Sequence, residues 1–179
     1  MFCWLGNTDL LVSIIKLIED KMNLEHDVSE VGVQIILLVE DGIRFYSSIL
    51  PNLYKFVLKQ SQEFSTEALN AHQRTLRMRG RPKNRPCTYL QRSNRHIRKI
   101  QEQHTGVITD VRFPRVERGE KDALAGIKLC AAIRKEDPFV PFDYTIVRIG
   151  ECVVRSQIRC AFIDKNSRKW TDMTANLSW

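Results

Sequence analysis

The sequence predicts an α/β fold built around a parallel sheet. Val33 to Val39 is rich in Ile, Leu and Val and lacks polar–apolar alternation, which is typical of a strand buried on both faces. Shorter apolar runs follow at 106–110, 144–149 and 161–165, and helix-compatible segments separate them. Strands that alternate with helices favour a parallel sheet with crossover connections.

The first half of the chain predicts two long helical regions. Residues 3–24 predict a short strand followed by a helix, because their apolar residues recur at helical spacing. Residues 43–79 are helix-compatible, and Pro51 is expected to break or kink that helix. Two prolines and a glycine in Gly80–Pro86 predict a turn or linker.

The second half predicts shorter elements. The expected order is a polar helix at 90–102, a strand at 106–110, a polar loop at 111–121, an amphipathic helix at 123–135, a strand at 144–149, a helix at 151–159 and a strand tip at 161–165.

Composition excludes several classes of protein. The 179 residues are 43% hydrophobic and 27% charged, a balance typical of one globular domain or of one domain plus a fragment. The longest apolar run, Ile35 to Val39, is far below the roughly 20 residues that span a bilayer. The five cysteines lack CxxC spacing, and the first residues lack a basic and then apolar leader. These features predict a cytoplasmic protein without disulfides or structural zinc.

The net charge of +7 is concentrated in one stretch. Residues 71–101, here called the basic segment, contain ten Lys and Arg and no acid, whereas the rest of the chain carries 18 basic and 21 acidic residues. Tyr89 is the only aromatic residue in the basic segment, so stacking on nucleic-acid bases is unsupported.

Charged residues follow three of the predicted strands. Glu40 and Asp41 end the first, Asp110 ends the strand at 106–110, and Lys165 ends the last. Carboxylates from neighbouring parallel strands make an oxygen site suited to Mg²⁺, and a carboxylate beside Mg²⁺ can attack a phosphoryl group. A lysine at a third strand end can neutralise phosphoryl oxygens.

These motifs resemble the receiver family of response regulators. "IILLVEDG" (35–42), "GVITDVRFPR" (106–115) and "AFIDKNS" (161–167) are similar to its first, third and fifth strands. The resemblance implies a flavodoxin-like fold, a phosphoacceptor at Asp110, Mg²⁺ held by Glu40, Asp41 and Asp110, and charge neutralisation by Lys165. It also implies a sensor histidine kinase or small phosphodonor as partner, and a regulatory domain rather than a turnover enzyme.

"VEDGIRFYSSILP", "LRMRGRPK", "DVRFPR" and "FIDKNS" are more narrowly similar to receiver modules upstream of phosphoenolpyruvate-synthase-like, PEP/pyruvate-binding proteins. Those modules carry helices between the first two strands, and Asp110 lies 69 positions after Asp41 here. The resemblance implies a remnant of a preceding module at 1–30, a receiver-like domain at 31–170 with a helical insertion at 43–80, and a tail at 171–179. The chain is then a fragment of a longer protein.

One departure concerns the fourth strand. Receivers end this strand in Thr or Ser, and counting from Pro141 places Ile146 in that position, with Thr145 one residue earlier. A one-residue offset turns a strand residue to the other face. The alternative to a phosphorylated receiver is therefore a pseudo-receiver scaffold that works without phosphorylation. A nucleic-acid-binding module using the basic segment is the third hypothesis.

Overall fold

The computed structural model describes residues 1–66, 70, 80–90, 104–136, 142–146 and 161–164. The helices are α1 (Asp9–Val31), α2 (Ile43–Thr66) and α3 (Ala125–Glu136). The strands are β1 (Ile35–Val39), β2 (Lys83–Cys87), β3 (His104–Asp110), β4 (Phe113–Pro114), β5 (Lys121–Asp122), β6 (Phe142–Ile146) and β7 (Ala161–Asp164).

Five strands form one parallel sheet in the order β2-β1-β3-β6-β7, and β4 pairs with β5 in a separate antiparallel hairpin. This is the flavodoxin-like order, in which the winding direction reverses between β1 and β3. The predicted fold class, a flavodoxin-like α/β fold with a parallel sheet, is confirmed. The crevice beyond the carboxyl ends of β1 and β3 is where such sheets place their ligands.

Helices cover both faces of the sheet. Alternate residues of β1 point to opposite faces: Leu37 and Val39 pack with the α3 side, and Ile36 and Leu38 pack against α2. All five residues of β1 are buried, as the unbroken apolar run predicts. The helix predicted between the first two strands is confirmed over Ile43–Thr66, and it packs on the sheet as a crossover helix.

The strand predicted near residue 3 is wrong, because the described residues before α1 contain no strand. The N–H of Cys3 donates to Ser47 Oγ at 2.9 Å, and the Phe2 ring stacks on Tyr46 with 5.9 Å between ring centroids. The amino-terminal residues therefore lie on α2, where no strand edge is available for pairing.

The predicted break at Pro51 is wrong, whereas the kink given as its alternative stays a prediction. Pro51 lies inside α2 without breaking it. It lacks only the one N–H that would have bonded a carbonyl a turn earlier. The neighbouring side chains Ile49, Leu53 and Val57 are buried against the sheet and hold the helix in place on either side of the proline.

The turn or linker predicted at Gly80–Pro86 is confirmed at Gly80, which lies in a turn, and is wrong from residue 83 onward, because β2 occupies Lys83–Cys87. Pro86 is tolerated since, among the described strands, β2 lies at the edge of the sheet and pairs with β1 alone. Lys83 and Asn84 of β2 are buried beneath α1, which packs along the strand and supplies the counter-charge of Lys83, with Lys83 Nζ 2.9 Å from Asp27 Oδ2.

The polar loop predicted at 111–121 contains the β4–β5 hairpin, whose two-residue strands have no hydrophobic pattern. Of the later strands, β6 begins at Phe142, two residues before the predicted start. The helices predicted at 90–102 (apart from Leu90) and 151–159 lie outside the described residues, as do residues 67–79 except Asn70, Lys165 and the tail.

Candidate functional site

The carboxyl end of β1 places an acidic pair at the crevice. Glu40 is buried with 3% of its surface exposed, and Asp41 is half-buried. Glu40 Oε1 accepts a hydrogen bond from the N–H of Gly42 at 2.9 Å. A Cβ at Gly42 would lie 2.9 Å from that same oxygen, so a glycine is what lets the Glu40 carboxylate fold back over the start of α2.

Asp110 ends β3 beside this pair. Its Oδ1 accepts hydrogen bonds from the N–H groups of Val111 at 2.7 Å and Arg112 at 3.4 Å, which orient the carboxylate. The first turn of α3 approaches closely: a Cβ at Gly126 would lie 2.3 Å from the Asp110 carbonyl oxygen. The N–H of Gly126 donates to the Val111 carbonyl at 3.1 Å, so α3 is fixed directly against the end of β3.

The structure brings Glu40, Asp41 and Asp110 together, and one carboxylate oxygen of each lies within 4.8 Å of the others. A separation above about 10 Å would have excluded a shared cation. Oxygens on opposite sides of one Mg²⁺ lie about 4 Å apart, so small side-chain rotations would place all three on one ion. These three residues, here called the acidic cluster, offer hard carboxylate oxygens, a donor set that fits Mg²⁺ by its chemistry.

Lys121 is a member of this site that sequence reasoning missed. Its Nζ lies 2.7 Å from Asp41 Oδ2, while 54% of the Lys121 side chain and 13% of the Asp41 side chain is exposed. No sequence pattern marks Lys121, because the hairpin that carries it has strands of only two residues.

Asp122 anchors the hairpin to α3. It accepts hydrogen bonds from Lys128 Nζ at 2.6 Å, Arg115 Nε at 2.8 Å and the N–H of Leu124 at 3.0 Å. The bond from Lys128, followed by those from Leu124 and Arg115, holds the pKa of this carboxyl well below its usual range. Asp122 therefore stays ionised, and its three hydrogen bonds hold the backbone beside Lys121 in place.

The fourth-strand position is defined by the backbone register alone. Asp110 pairs with Thr145, and Ile146 pairs with Asp164 at the end of β7. The residue opposite the predicted phosphoacceptor is thus Thr145, one position before the residue that counting from Pro141 selects. Lys165, the predicted charge-neutralising residue, lies outside the described residues.

A cavity of about 650 Å³ borders the acidic pair on the side of α1 and β2. Apolar side chains including Phe2, Ile18 and Met22 line it together with Glu40 and Asp41. Tyr46 also lines it, and burial raises the pKa of this phenol above its ordinary value, so Tyr46 contributes no negative charge to the cavity.

The described part of the basic segment is largely committed to internal ion pairs. Arg81 lies 2.7 Å from Asp20, and Lys83 lies 2.9 Å from Asp27; both basic side chains are almost fully buried. These two cations are not available to a phosphate backbone. Among the described residues, no helix combines the length and apolarity needed to cross a bilayer.

Comparison with known proteins gives one fold match. No family model and no curated protein matches the chain. Among solved structures, a response regulator receiver protein from Sinorhizobium medicae WSM419 is similar, with 14% sequence identity and a TM-score of 0.49 over 83% of this chain and 94% of that chain. The assignment of the fold rests on the strand order and parallel register of this chain.

Proposed function

We propose that this domain is a signal-transduction receiver that accepts a phosphoryl group on Asp110. The observation that carries the proposal is the meeting of Glu40, Asp41 and Asp110 within 4.8 Å at the switch point of a flavodoxin-like sheet. Mg²⁺ held by these three carboxylates would neutralise charge on the incoming phosphoryl group.

The chain's own groups prepare the transfer. The two N–H bonds to Oδ1 orient the Asp110 carboxylate, one oxygen of which attacks phosphorus. A new P–O bond forms while the bond from phosphorus to the donor's leaving group breaks, and the leaving group keeps that electron pair. The product is an aspartyl phosphate. Lys165 is proposed to neutralise part of its charge, as the receiver resemblance implies.

The donor is proposed to be a sensor histidine kinase or a small phosphodonor in the cytoplasm. Phosphorylation would shift the populations of two surface conformations, and an attached or partner PEP/pyruvate-binding domain would read that shift. The sequence immediately downstream in the gene tests this last step, because it either encodes such a domain or does not.

Incubation with acetyl phosphate or beryllofluoride, followed by amide NMR with and without Mg²⁺, tests the phosphorylation. We expect Mg²⁺-dependent shifts around Asp110 that disappear in Asp110→Asn. Lys165→Ala should weaken the response without abolishing it. An absence of Mg²⁺-dependent shifts in the wild-type protein would refute the phosphorylated receiver.

The second candidate is a pseudo-receiver that keeps the partner surface and does not need phosphorylation. The ion pair between Lys121 and Asp41 favours it, because an internal cation already offsets part of the negative charge of the cluster. The same NMR experiment separates the two candidates. A folded spectrum that is unchanged by beryllofluoride and Mg²⁺ would support the pseudo-receiver.

A further inference from the structure

We propose that Lys121 is a tethered counter-cation that competes with the divalent cation for Asp41 and thereby sets the cation affinity of the acidic cluster. This inference rests on the proposed function, since it concerns the regulation of the same site. It assigns a role to a residue that belongs to none of the motifs by which the chain resembles receivers.

The geometry of the ion pair is the first step. Lys121 Nζ lies 2.7 Å from Asp41 Oδ2, and one Asp41 oxygen lies within 4.8 Å of one oxygen each of Glu40 and Asp110. Three carboxylates this close repel one another when ionised, so a nearby positive charge stabilises the charged cluster. Lys121 supplies such a charge in the absence of a metal ion.

The hairpin holds the backbone of Lys121 in place, but it does not hold the ammonium group at the end of the side chain. Phe113 of β4 is completely buried in the core beside α3, and Asp122 bonds to Arg115, Lys128 and the start of α3. The Lys121 backbone is therefore anchored on both sides. Its side chain is half-exposed, so the ammonium can leave Asp41 for solvent on its flexible four-carbon stem.

Competition follows from these facts. A cation that coordinates Asp41 Oδ2 would displace the ammonium, and a cation on the other Asp41 oxygen would be repelled by it. A neutral side chain at 121 would remove the cost in either case. An ion pair between partly exposed groups changes an equilibrium constant by a factor of about two to five. The expected effect of Lys121 on cation affinity is therefore modest, and it should weaken at high ionic strength.

The test is titration of the protein with MgCl₂ alone, followed through the amide signals of Gly42 and Gly126. Lys121→Gln should bind Mg²⁺ about two to five times more tightly than the wild-type protein. Lys121→Arg keeps the positive charge and should bind Mg²⁺ with the affinity of the wild-type protein. Lys55→Gln is the matched control: it removes an equally exposed lysine whose partner, Asp9, is outside the cluster, and should leave the affinity unchanged.

The outcomes separate the two proposals. Wild-type binding of Mg²⁺ with no gain in Lys121→Gln over Lys55→Gln would overturn the role of Lys121 and leave the receiver proposal standing. Failure of every variant to bind Mg²⁺ saturably would overturn both. In an Asp41→Asn background, the advantage of Lys121→Gln should vanish; its persistence would mean that Lys121 acts on the cluster other than through Asp41, against the proposal.

Discussion

Replacement of Asp20 by alanine should cost more stability than removal of any surface charge in the described part of the chain. Asp20 lies on α1 and is completely buried. Its carboxylate lies 2.7 Å from Arg81, accepts the Tyr54 hydroxyl at 2.7 Å and accepts the N–H of Asn84 at 3.0 Å. Burial, followed by the charge of Asp20, raises the pKa of Tyr54 above its ordinary value, so its hydroxyl stays a donor to Asp20 even in alkaline solution.

The magnitude follows from what the substitution leaves behind. Arg81 is 3% exposed, and after Asp20→Ala its guanidinium keeps Glu19, at 3.7 Å, as its one counter-charge within the described part of the chain. Removal of one partner from a buried ion pair costs about 3–5 kcal/mol. Because Glu19 compensates in part, we expect a loss of about 3 kcal/mol in the free energy of unfolding. For a chain of this size, that loss lowers Tm by about 6–12 °C.

Urea unfolding followed by circular dichroism measures this loss. Asp9→Ala removes an exposed partner of Lys55 and should change the free energy of unfolding by less than about 1 kcal/mol. The double variant Asp20→Leu, Arg81→Met should recover only part of the lost stability: apolar groups can replace the buried ion pair, but the Tyr54 hydroxyl and the Asn84 N–H still lose their acceptor. A loss below about 1 kcal/mol for Asp20→Ala would refute the reasoning.

Three further outcomes are expected. Gly126→Ala places a Cβ against the Asp110 carbonyl, so it should cost about 1–3 kcal/mol in urea unfolding and weaken Mg²⁺ binding in the NMR titration. Burial would raise the pKa of Asp27, but the hydrogen bond and charge of Lys83 outweigh it and lower the pKa below 3.8. The stability that the ionised Asp27 contributes should be complete above pH 3.8 and be lost as the pH falls through the folded-state pKa. Asp27→Asn should lack this pH-dependent contribution. The last outcome shows which residue of β6 contacts the phosphoryl group. Contact by Thr145 means that Thr145→Val should weaken beryllofluoride binding by about 1.5–3 kcal/mol. Contact at position 146 means instead that Ile146→Thr should enlarge the beryllofluoride-induced NMR shifts.

Local patterns predict β1 and the acids that follow it. Five consecutive aliphatic residues can be buried on both faces of a sheet only if neighbouring strands and helices surround them. The run at Ile35–Val39 therefore predicts a central strand without information from the rest of the chain. Glu40 and Asp41 come next in the chain, and parallel strands end at one edge. The meeting of this pair with Asp110 was therefore accessible from the sequence.

Other features depend on contacts between residues far apart in the chain. The residues Lys83–Cys87 have little strand propensity, and they form β2 because the ladder to β1 and the acids of α1 stabilise them together. Lys121 reaches Asp41 across 80 positions of sequence through a hairpin whose strands are too short to have a period. A single-sequence pattern contains no information on such pairings, since charge complementarity alone permits many partners.

The ion pairs that α1 makes with β2 and with Arg81, two residues before it, bear on where the chain divides into domains. The predicted boundary near residue 30 assigns α1 to the remnant of a preceding module, yet Asp20 and Asp27 supply the counter-charges of Arg81 and Lys83. Without α1, those two cations would be buried without these partners or would have to move into water, and β2 would lose the cover of its polar face. Since β2 pairs along the whole of β1, such a change would reach Glu40, whose N–H donates to the Cys87 carbonyl at 3.1 Å. Whatever its origin, α1 therefore stabilises the edge of the sheet on which the acidic cluster is built.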